Sequence, residues 1–477
     1  MVIAGGALLL GAAYGLYHGL LAGIATWHTT LAREDLARGE PAEALDRLHD
    51  AVAWDPDHSR AQILLAHAEI GHGRLAEAQA RLEGRVESGA DDIVTLDALA
   101  RLLEESGEAD GARTLFRQLM ERHPQHLAGP LGLARLGDPA PLEARLEAIG
   151  PPPTATPVRG VSFFHLDDGF GVTGYGTPAS IESLERARGM GANLVSLRVP
   201  ARQPDAETPS LVFGHEPAGG ETERAIERTI RDAHLLGFSI LLKPHVMLET
   251  ITEEAWRGTI AFENPNDLDA WWNDYRRYIL HVAELAERYE VSYLAVGVEL
   301  RSMVNSSPDR WRALIAEVRT VYSGHLTYAA NWFYEFAEVS FWDALDSIGV
   351  QFFFPTETPR PTGDQLVAEL TLPARDLAEL AYLLERPILL TEVGYRSTTN
   401  ALSEPWAWPD PTESPDATLQ AMAYRSVLAI FEEQPWCAGL IWWNWLTTPE
   451  PSREFDVDFT PQGKPAEAVV RERWRRE

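Results

Sequence analysis

The sequence predicts an α/β protein: a (β/α)₈ TIM barrel preceded by an all-α repeat domain and an N-terminal apolar helix. Three observations lead to this prediction. Eight short apolar runs alternate with longer helical stretches after residue 158, small residues recur with a period of 34 between residues 39 and 112, and residues 2–27 contain no Asp, Glu, Lys or Arg. At 477 residues the chain is long enough for more than one domain.

The uncharged N-terminal run has the length of a membrane-spanning helix. It ends at Trp27, and the first charged residue is Arg33. Because about 20 apolar residues cross a bilayer, we expect residues 1–28 to be a single-span membrane anchor. A cleaved signal peptide, with GIA before Thr26 as a weak small-residue site, and a helix packed on a partner stay open. The run is long for a signal peptide, and His18 interrupts it. Either of the first two interpretations predicts that the protein is anchored in a membrane or exported.

The charge of the chain restricts its partners. The formal net charge is −30, and Cys437 is the single cysteine. Nucleic acid is not an expected partner, because a phosphate backbone needs a basic surface, and one cysteine cannot form a metal cluster. A neutral oligo- or polysaccharide is compatible with this charge. The sequence indicates no metal and no cofactor.

A helical repeat follows the apolar run. Four kinds of residue recur with the 34-residue period: Gly39, Gly73 and Gly107; Ala44, Ala78 and Ala112; Leu48, Leu82 and Phe116; and Pro56, Ala90 and Pro124. The pattern resembles the tetratricopeptide repeat, in which the alanine lies where two helices cross and the glycine lies in their turn. Residues 30–145 are therefore expected to form such repeats, which either bind a protein partner or act as a spacer.

A proline-rich segment, residues 146–157, is expected to be a semi-rigid linker. The barrel is then expected over residues 158–477, because short apolar runs that alternate with helices are typical of βα units. The eight runs begin at Val158, Asn193, Ser239, Ser292, Leu326, Ser347, Pro387 and Ala438. Since no Gly-rich phosphate-binding turn follows the first run, a doubly wound nucleotide-binding sheet is disfavoured.

Polar and aromatic residues stand at the predicted strand ends, where a (β/α)₈ barrel places its active site. We expect the following of these residues to contact substrate: Arg198, Lys243, His245, Asn331, Trp332, Gln351, Trp442, Trp443 and Trp445. Side chains alternate along a strand, so Trp443 should point away from its neighbours. At least one of the three tryptophans in the eighth strand should therefore lie in the core.

Two acidic residues, Glu299 and Glu392, end the fourth and seventh predicted strands, which face each other across the barrel mouth. Two carboxyls about 5–5.5 Å apart allow a retaining displacement at a sugar's anomeric carbon. Repulsion and partial burial should raise the pKa of one of them and keep it as the acid. Alternatively, each glutamate pairs with a buried cation such as Arg198 or Lys243. We expect the partner of Glu299 to be the second acid and not a base.

Seven motifs occur in an order that resembles glycoside hydrolase family 113. They are LLKPHV, WRGTI, VGVEL, LTYAANW, TEVGY, WWNW and DFTPQGKPA, within the region from Val158 to Val470. The resemblance implies a retaining glycosidase of the endo-β-mannanase type, with Glu299 as acid/base and Glu392 as nucleophile. It also implies that Lys243, His245, Asn331, Tyr395 and the tryptophans of the eighth strand line the sugar subsites.

Two departures from the family pattern concern the substrate. Val298 precedes the acid/base where many relatives have Asn, and Gln351 with three following phenylalanines occupies the sixth strand. Both leave the sugar preference open. They also suit a non-catalytic glycan-binding or scaffold protein whose repeats recruit a partner, and transglycosylation during polysaccharide assembly would use the same residues. The acidic, Pro-rich loop of residues 403–416, which carries Trp406, is expected either to shape the cleft or to be a surface insertion.

Overall fold

A computed structural model describes residues 21–33, 35, 41–149, 156–165, 173–214, 222–252, 255–358, 360–410, 412–451 and 456–475. The chain divides into two compact units. The helices that precede residue 150 belong to the first unit, and the strands belong to the second.

The first unit is a series of α-helices in which consecutive helices pack on each other. Its described helices are α1 (residues 21–33), α2 (Pro41–Trp54), α3 (Ser59–Gly71), α4 (Leu75–Glu87), α5 (Ile93–Ser106), α6 (Ala109–Arg122), α7 (Ala128–Arg135) and α8 (Ala140–Ile149). Gly73 and Gly107 follow α3 and α5 with φ of 71° and 84°, a conformation that glycine adopts without steric cost. The predicted repeats are thus confirmed in their helices and turns.

Small and apolar residues of the period form the core of this unit. The alanines Ala44, Ala78 and Ala112 are buried, as is Phe116. A Cβ built at Gly132 on α7 would overlap the ring of Phe116 on α6. The close packing of these two helices therefore depends on a residue without a side chain.

In the described part of the second unit, eight parallel strands close into a barrel in the order β1 to β8. They are β1 (Val158–Phe164), β2 (Leu194–Gln203), β3 (Ser239–Leu248), β4 (Tyr293–Val298), β5 (His325–Ala330), β6 (Ile348–Phe352), β7 (Ile388–Val393) and β8 (Cys437–Leu446). The predicted barrel is confirmed, since each strand overlaps one predicted run. Strands β2 and β3 continue for five residues beyond Arg198 and Lys243, so these two residues lie within their strands and not at the ends.

Helices connect the strands. The longer ones are α9 (Pro178–Met190), α10 (Glu223–Leu235), α11 (Pro265–Arg288), α13 (Pro308–Val321), α15 (Gly363–Leu384), α16 (Ala417–Phe431) and α17 (Pro465–Trp474). Two short helices, α12 (Arg301–Ser306) and α14 (Glu335–Glu338), follow β4 and β5 at the carboxyl end of the barrel. Trp271 and Trp311, on α11 and α13, are fully buried, and Tyr275 stacks on Trp271 with ring centroids 4.6 Å apart.

The predicted N-terminal apolar helix falls mainly on residues 1–20, which lie outside the described residues. Within the described ranges, no helix has both the length and the hydropathy that a membrane crossing requires. The limits predicted for the individual domains, the linker and the location of the protein stay predictions.

Candidate active site

The carboxyl end of the barrel contains a cavity of about 420 Å³. Seven of the residues predicted for the site line it: Arg198, His245, Glu299, Asn331, Trp332, Glu392 and Trp443. They come from six strands or the loops that follow them, namely β2, β3, β4, β5, β7 and β8. The strand ends of the barrel therefore bring together side chains that are far apart in sequence.

Glu299 follows the last residue of β4 and has a left-handed backbone, with φ of 53°. A non-glycine residue in this region costs of order 1–3 kcal/mol and needs support from its surroundings. The amide of Glu299 donates to the carbonyl of Ala329 on β5 at 3.0 Å. Its side chain accepts from Asn331 Nδ2 at 2.8 Å and from Arg257 Nη1 at 2.5 Å. The strained turn and these two donors direct the carboxylate into the cavity.

Glu392 is the penultimate residue of β7 and is 6 % exposed. Lys243 Nζ donates to Glu392 Oε1. Burial raises the pKa of Glu392, and the charge of Glu299 raises it further, whereas Lys243 and Arg257 oppose the increase. The two carboxylates are thus close enough to influence each other electrostatically.

Both glutamates also have a cationic partner. Glu392 pairs with Lys243, so the alternative prediction of a buried cationic partner is correct for this glutamate. For Glu299, the expectation that its partner is an acid and not a base is wrong, because the guanidinium of Arg257 contacts it. The guanidinium of Arg198 lies over the ring of Phe164, 5.2 Å from the ring centroid.

His245 provides a neutral imidazole to the cavity. Burial lowers its pKa well below the usual value, and the positive charges of Arg257, Lys243 and Arg198 lower it further. Its Nδ1 has no hydrogen-bond partner among the described residues. The buried Nδ1 does not face the cavity, so His245 contributes a neutral ring to the cavity wall.

Of the three tryptophans in β8, only Trp443 lines the cavity. Trp442 and Trp445 are fully buried, which corrects the prediction that they contact substrate. Trp442 stacks on Tyr424 with centroids 3.9 Å apart, and Trp445 Nε1 donates to Ser183 Oγ at 2.9 Å. Trp442 points away from Trp443 by the ordinary alternation of a strand. Trp445 faces the same way as Trp442 because the register shifts between them, where Trp442 and Trp445 of β8 lie opposite Val161 and Phe163 of β1. The extra residue in β8 therefore turns Trp445 towards the surrounding helices, as Trp442 already is.

Gln351 and Tyr395 are buried and do not line the cavity, so the prediction that they touch sugar is corrected for both. Phe353, two residues after Gln351, reaches the cavity instead. The carbonyl of Tyr395 accepts from Gln420 Nε2 at 2.9 Å, which ties this residue to α16. Lys243 is also buried and does not line the cavity; it donates a hydrogen bond to Glu392, which does.

Sequence reasoning missed several residues of the cavity wall: Met247, Leu248, Ile251, Trp256, Arg257, Phe333, Trp408 and Phe459. Arg257 lies in the WRGTI motif, where a charged residue between an aromatic residue and a glycine was a usable signal. Trp406 and Trp408 come from the Pro-rich loop after β7, and Trp406 stacks on Trp332 with centroids 4.8 Å apart. Val298 is buried and supplies no polar group.

A parallel eight-stranded barrel with two interacting carboxylates and several tryptophans in its mouth defines the class of the protein as a glycoside hydrolase. The chain belongs to glycoside hydrolase family 113, whose family model matches residues 170–464. A tetratricopeptide repeat model matches residues 35–103. Both resemblances seen in the sequence are therefore confirmed.

Solved structures of the same family resemble the barrel. A GH113 β-1,4-mannanase in a complex is 25 % identical, with a TM-score of 0.59, and the match covers 67 % of this chain and 99 % of that one. The GH113 β-mannanase of Alicyclobacillus acidocaldarius is 27 % identical, with a TM-score of 0.57, over 69 % of this chain and 98 % of its own. The search of curated proteins found no match.

Proposed function

We propose that this protein is a retaining β-glycosidase that cleaves β-mannan or a related β-linked glycan. The observation that carries the proposal is the pair Glu299 and Glu392, which face one cavity from β4 and β7 and interact electrostatically. The β-mannanase names of the related structures support the choice of sugar.

The proposed reaction is a double displacement. Glu392 attacks the anomeric carbon while the bond to the leaving oxygen breaks, and Glu299 transfers its proton to that oxygen. A water molecule then gives a proton to Glu299 and attacks the same carbon, which releases the Glu392 carboxylate. The configuration at the anomeric carbon is retained because it is inverted twice.

The cationic partners have distinct roles in this scheme. Lys243 stabilises the ionised form of Glu392, which attack requires, against the burial that raises its pKa. Arg257 contacts Oε2 of Glu299, and Asn331 contacts Oε1. The oxygen of a protonated Glu299 that donates to the leaving oxygen is a weaker acceptor, so the contact between that oxygen and its donor should weaken when the leaving oxygen binds.

The aromatic wall supports a chain of sugars as the substrate. Trp332 and Trp406 are stacked on each other, and Trp408 is 69 % exposed. Exposed aromatic rings beside a catalytic cleft can pack on the apolar faces of pyranose rings. We therefore expect these rings to contact sugars beyond the two that share the cleaved bond.

The proposal is tested with Glu392→Gln and Glu299→Gln on β-1,4-mannohexaose and on an aryl β-mannoside. Loss of the nucleophile should lower kcat by about 10⁴-fold or more, and loss of the general acid should lower kcat on the oligosaccharide by about 10²–10⁴-fold. A 2-fluoro mannosyl fluoride should label Glu392, as determined by peptide mass spectrometry. Glu317→Gln, in a surface pair with Arg276, is the control.

Two outcomes contradict the proposal. If both site variants keep wild-type rates, the two-glutamate mechanism is wrong. If the wild-type protein binds mannohexaose but does not cleave it, the chain is a non-catalytic glycan-binding protein. The ion pairs of Glu299 with Arg257 and of Glu392 with Lys243 are compatible with that function as well. Larger products with a mannooligosaccharide as acceptor would indicate transglycosylation.

A further inference from the structure

A buried carboxyl group lies beside the cavity without lining it. Glu335 begins α14 and is fully buried. Its Oε1 accepts from the hydroxyl of Tyr328 at 2.5 Å, and its Oε2 accepts from the amide of Asn331 at 2.6 Å. Both oxygens are used as acceptors, which is the bonding pattern of an ionised carboxylate.

The two donors connect Glu335 to Glu299 by separate routes. The hydroxyl of Tyr328 accepts from the amide of Leu300 at 2.7 Å, directly after the strained Glu299. The side chain of Asn331 donates to Glu299 Oε1 at 2.8 Å. One route therefore holds the backbone of Glu299, and the other holds its carboxylate.

The orientation of these groups depends on the negative charge of Glu335. Because Tyr328 donates its hydroxyl proton to Glu335, its oxygen is free to accept from Leu300. The amide of Phe333 donates to Asn331 Oδ1 at 2.8 Å, which turns Nδ2 towards Glu299. With a neutral group at position 335, one of the two donors would face another donor or lose its acceptor.

We propose that Glu335 is a positioning residue for acid/base catalysis, which holds Glu299 through Tyr328 and Asn331 at the geometry needed to protonate the leaving oxygen. The inference rests on the proposed function of Glu299. It explains why a carboxylate is buried at this point, where a neutral residue would cost less free energy. A misplacement of about 1 Å at the reacting group can cost about 10²-fold in rate.

The charged and titratable groups around Glu335 are consistent with a group that changes its ionisation near neutral pH. The pKa of Glu335 is raised to about 8, mainly by burial, and the negative charge of Glu299 on the β4 side also raises it. The hydrogen bonds from Tyr328 and Asn331 and the positive charge of Arg301 on α12 lower this pKa. Arg301 itself pairs with Glu338. Above pH 8 the ionised Glu335 accepts from both donors, and below pH 8 the protonated form loses one acceptor.

The experiment compares, at a pH above 8 where wild-type Glu335 is ionised, kcat/KM of Glu335→Gln and wild type on mannohexaose and on 2,4-dinitrophenyl β-mannoside, whose leaving group needs no proton. We expect a decrease of about 10–100-fold on mannohexaose and a change of less than about threefold on the dinitrophenyl substrate. Tyr328→Phe should give the same selective loss. Glu338→Gln, on the same helix and paired with Arg301 and Asn305, should leave both values unchanged.

The pH dependence provides a second readout. The ratio of wild-type to Glu335→Gln activity on mannohexaose should rise as the pH increases through about 8, because protonated Glu335 resembles glutamine. Equal losses on both substrates, or a ratio independent of pH, would mean that Glu335 only stabilises the fold and would overturn the inference.

A crystal structure of Glu335→Gln separates this inference from the proposed function. If wild type has no glycosidase activity, the proposed function fails. The positioning of Glu299 is still tested, because its contact with Asn331 Nδ2 should lengthen from 2.8 Å to beyond hydrogen-bond distance in the variant. An unchanged contact would contradict the inference.

Discussion

At the scale of single residues, Lys243 and Glu392 form the part of the site most dependent on charge. Both are buried, and the pKa of Glu392 is raised mainly by burial. A buried carboxylate without a partner would take up a proton. The ammonium of Lys243 is therefore the group that keeps the proposed nucleophile available.

Lys243→Met should move the acidic limb of kcat/KM to higher pH. The proposed nucleophile must be ionised, so activity is lost as pH falls through the pKa of Glu392, and removal of Lys243 raises that pKa further. A neighbouring cation lowers the pKa of a carboxyl by about 1–3 units, and we expect a shift of this size in the pH profile on an aryl β-mannoside. Lys243→Arg keeps the charge and should keep the limb within about one pH unit. An unmoved limb in Lys243→Met would exclude this role.

Residues at strand ends could be predicted from the sequence, whereas their partners could not. Glu299 and Glu392 could be predicted because each follows a run of mainly apolar residues, which is a local signal. Arg257 comes from the loop after β3, and its contact with Glu299 depends on the three-dimensional arrangement of two loops. Trp445 was misplaced because an irregular strand register cannot be read from alternation alone.

At the scale of elements, the loop after β7 extends the cavity outward. Trp406 is stacked on Trp332 and is 45 % exposed, and the more exposed Trp408 also lines the cavity. The sequence left open whether this loop shapes the cleft or is a surface insertion. The structure answers that question in favour of the cleft.

Trp408→Ala should weaken the binding of long substrates and leave the chemistry of short ones intact. Loss of one stacking ring is worth about 0.5–1.5 kcal/mol, which corresponds to a rise in KM of about 2–13-fold on mannohexaose. The kcat/KM on an aryl β-mannoside should stay within about twofold, since its single sugar occupies the catalytic position. Tyr382→Ala removes an aromatic ring that is 67 % exposed on α15 and serves as the control. An equal effect on both substrates would place Trp408 at the reacting sugar.

The strands themselves could be predicted because nearly every residue along each strand is buried. A parallel barrel buries both faces of each strand, which gives short apolar runs that differ from helices in length and in β-branched content. The limits of β2 and β3 were less accurate. Polar residues such as Arg198 and Lys243 look like strand ends in sequence, although in a barrel mouth they can belong to the strand itself.

At the scale of the whole molecule, the two units are built by different physical means. The repeats bury small residues between helices, as at Ala78 and Ala112, and each helix contacts mainly its neighbours in sequence. The barrel closes by pairing β1 with β8, far apart in the chain. Two cores with such different contacts are expected to unfold as separate cooperative units.

Calorimetry on Glu392→Gln, which should bind substrate without cleaving it, tests this expectation. We expect two unfolding transitions, of which only that of the barrel responds to mannohexaose. Because the ligand binds only the folded barrel, a concentration of about 100 times Kd should stabilise it by about 2.7 kcal/mol. Adding Gly132→Val, whose side chain would overlap the Phe116 ring, should destabilise the repeat unit by about 1–3 kcal/mol and leave the ligand response unchanged. A single transition that responds to both changes would mean that the repeats and the barrel form one cooperative unit, and the repeats would then stabilise the barrel rather than act as an independent spacer or partner-binding domain.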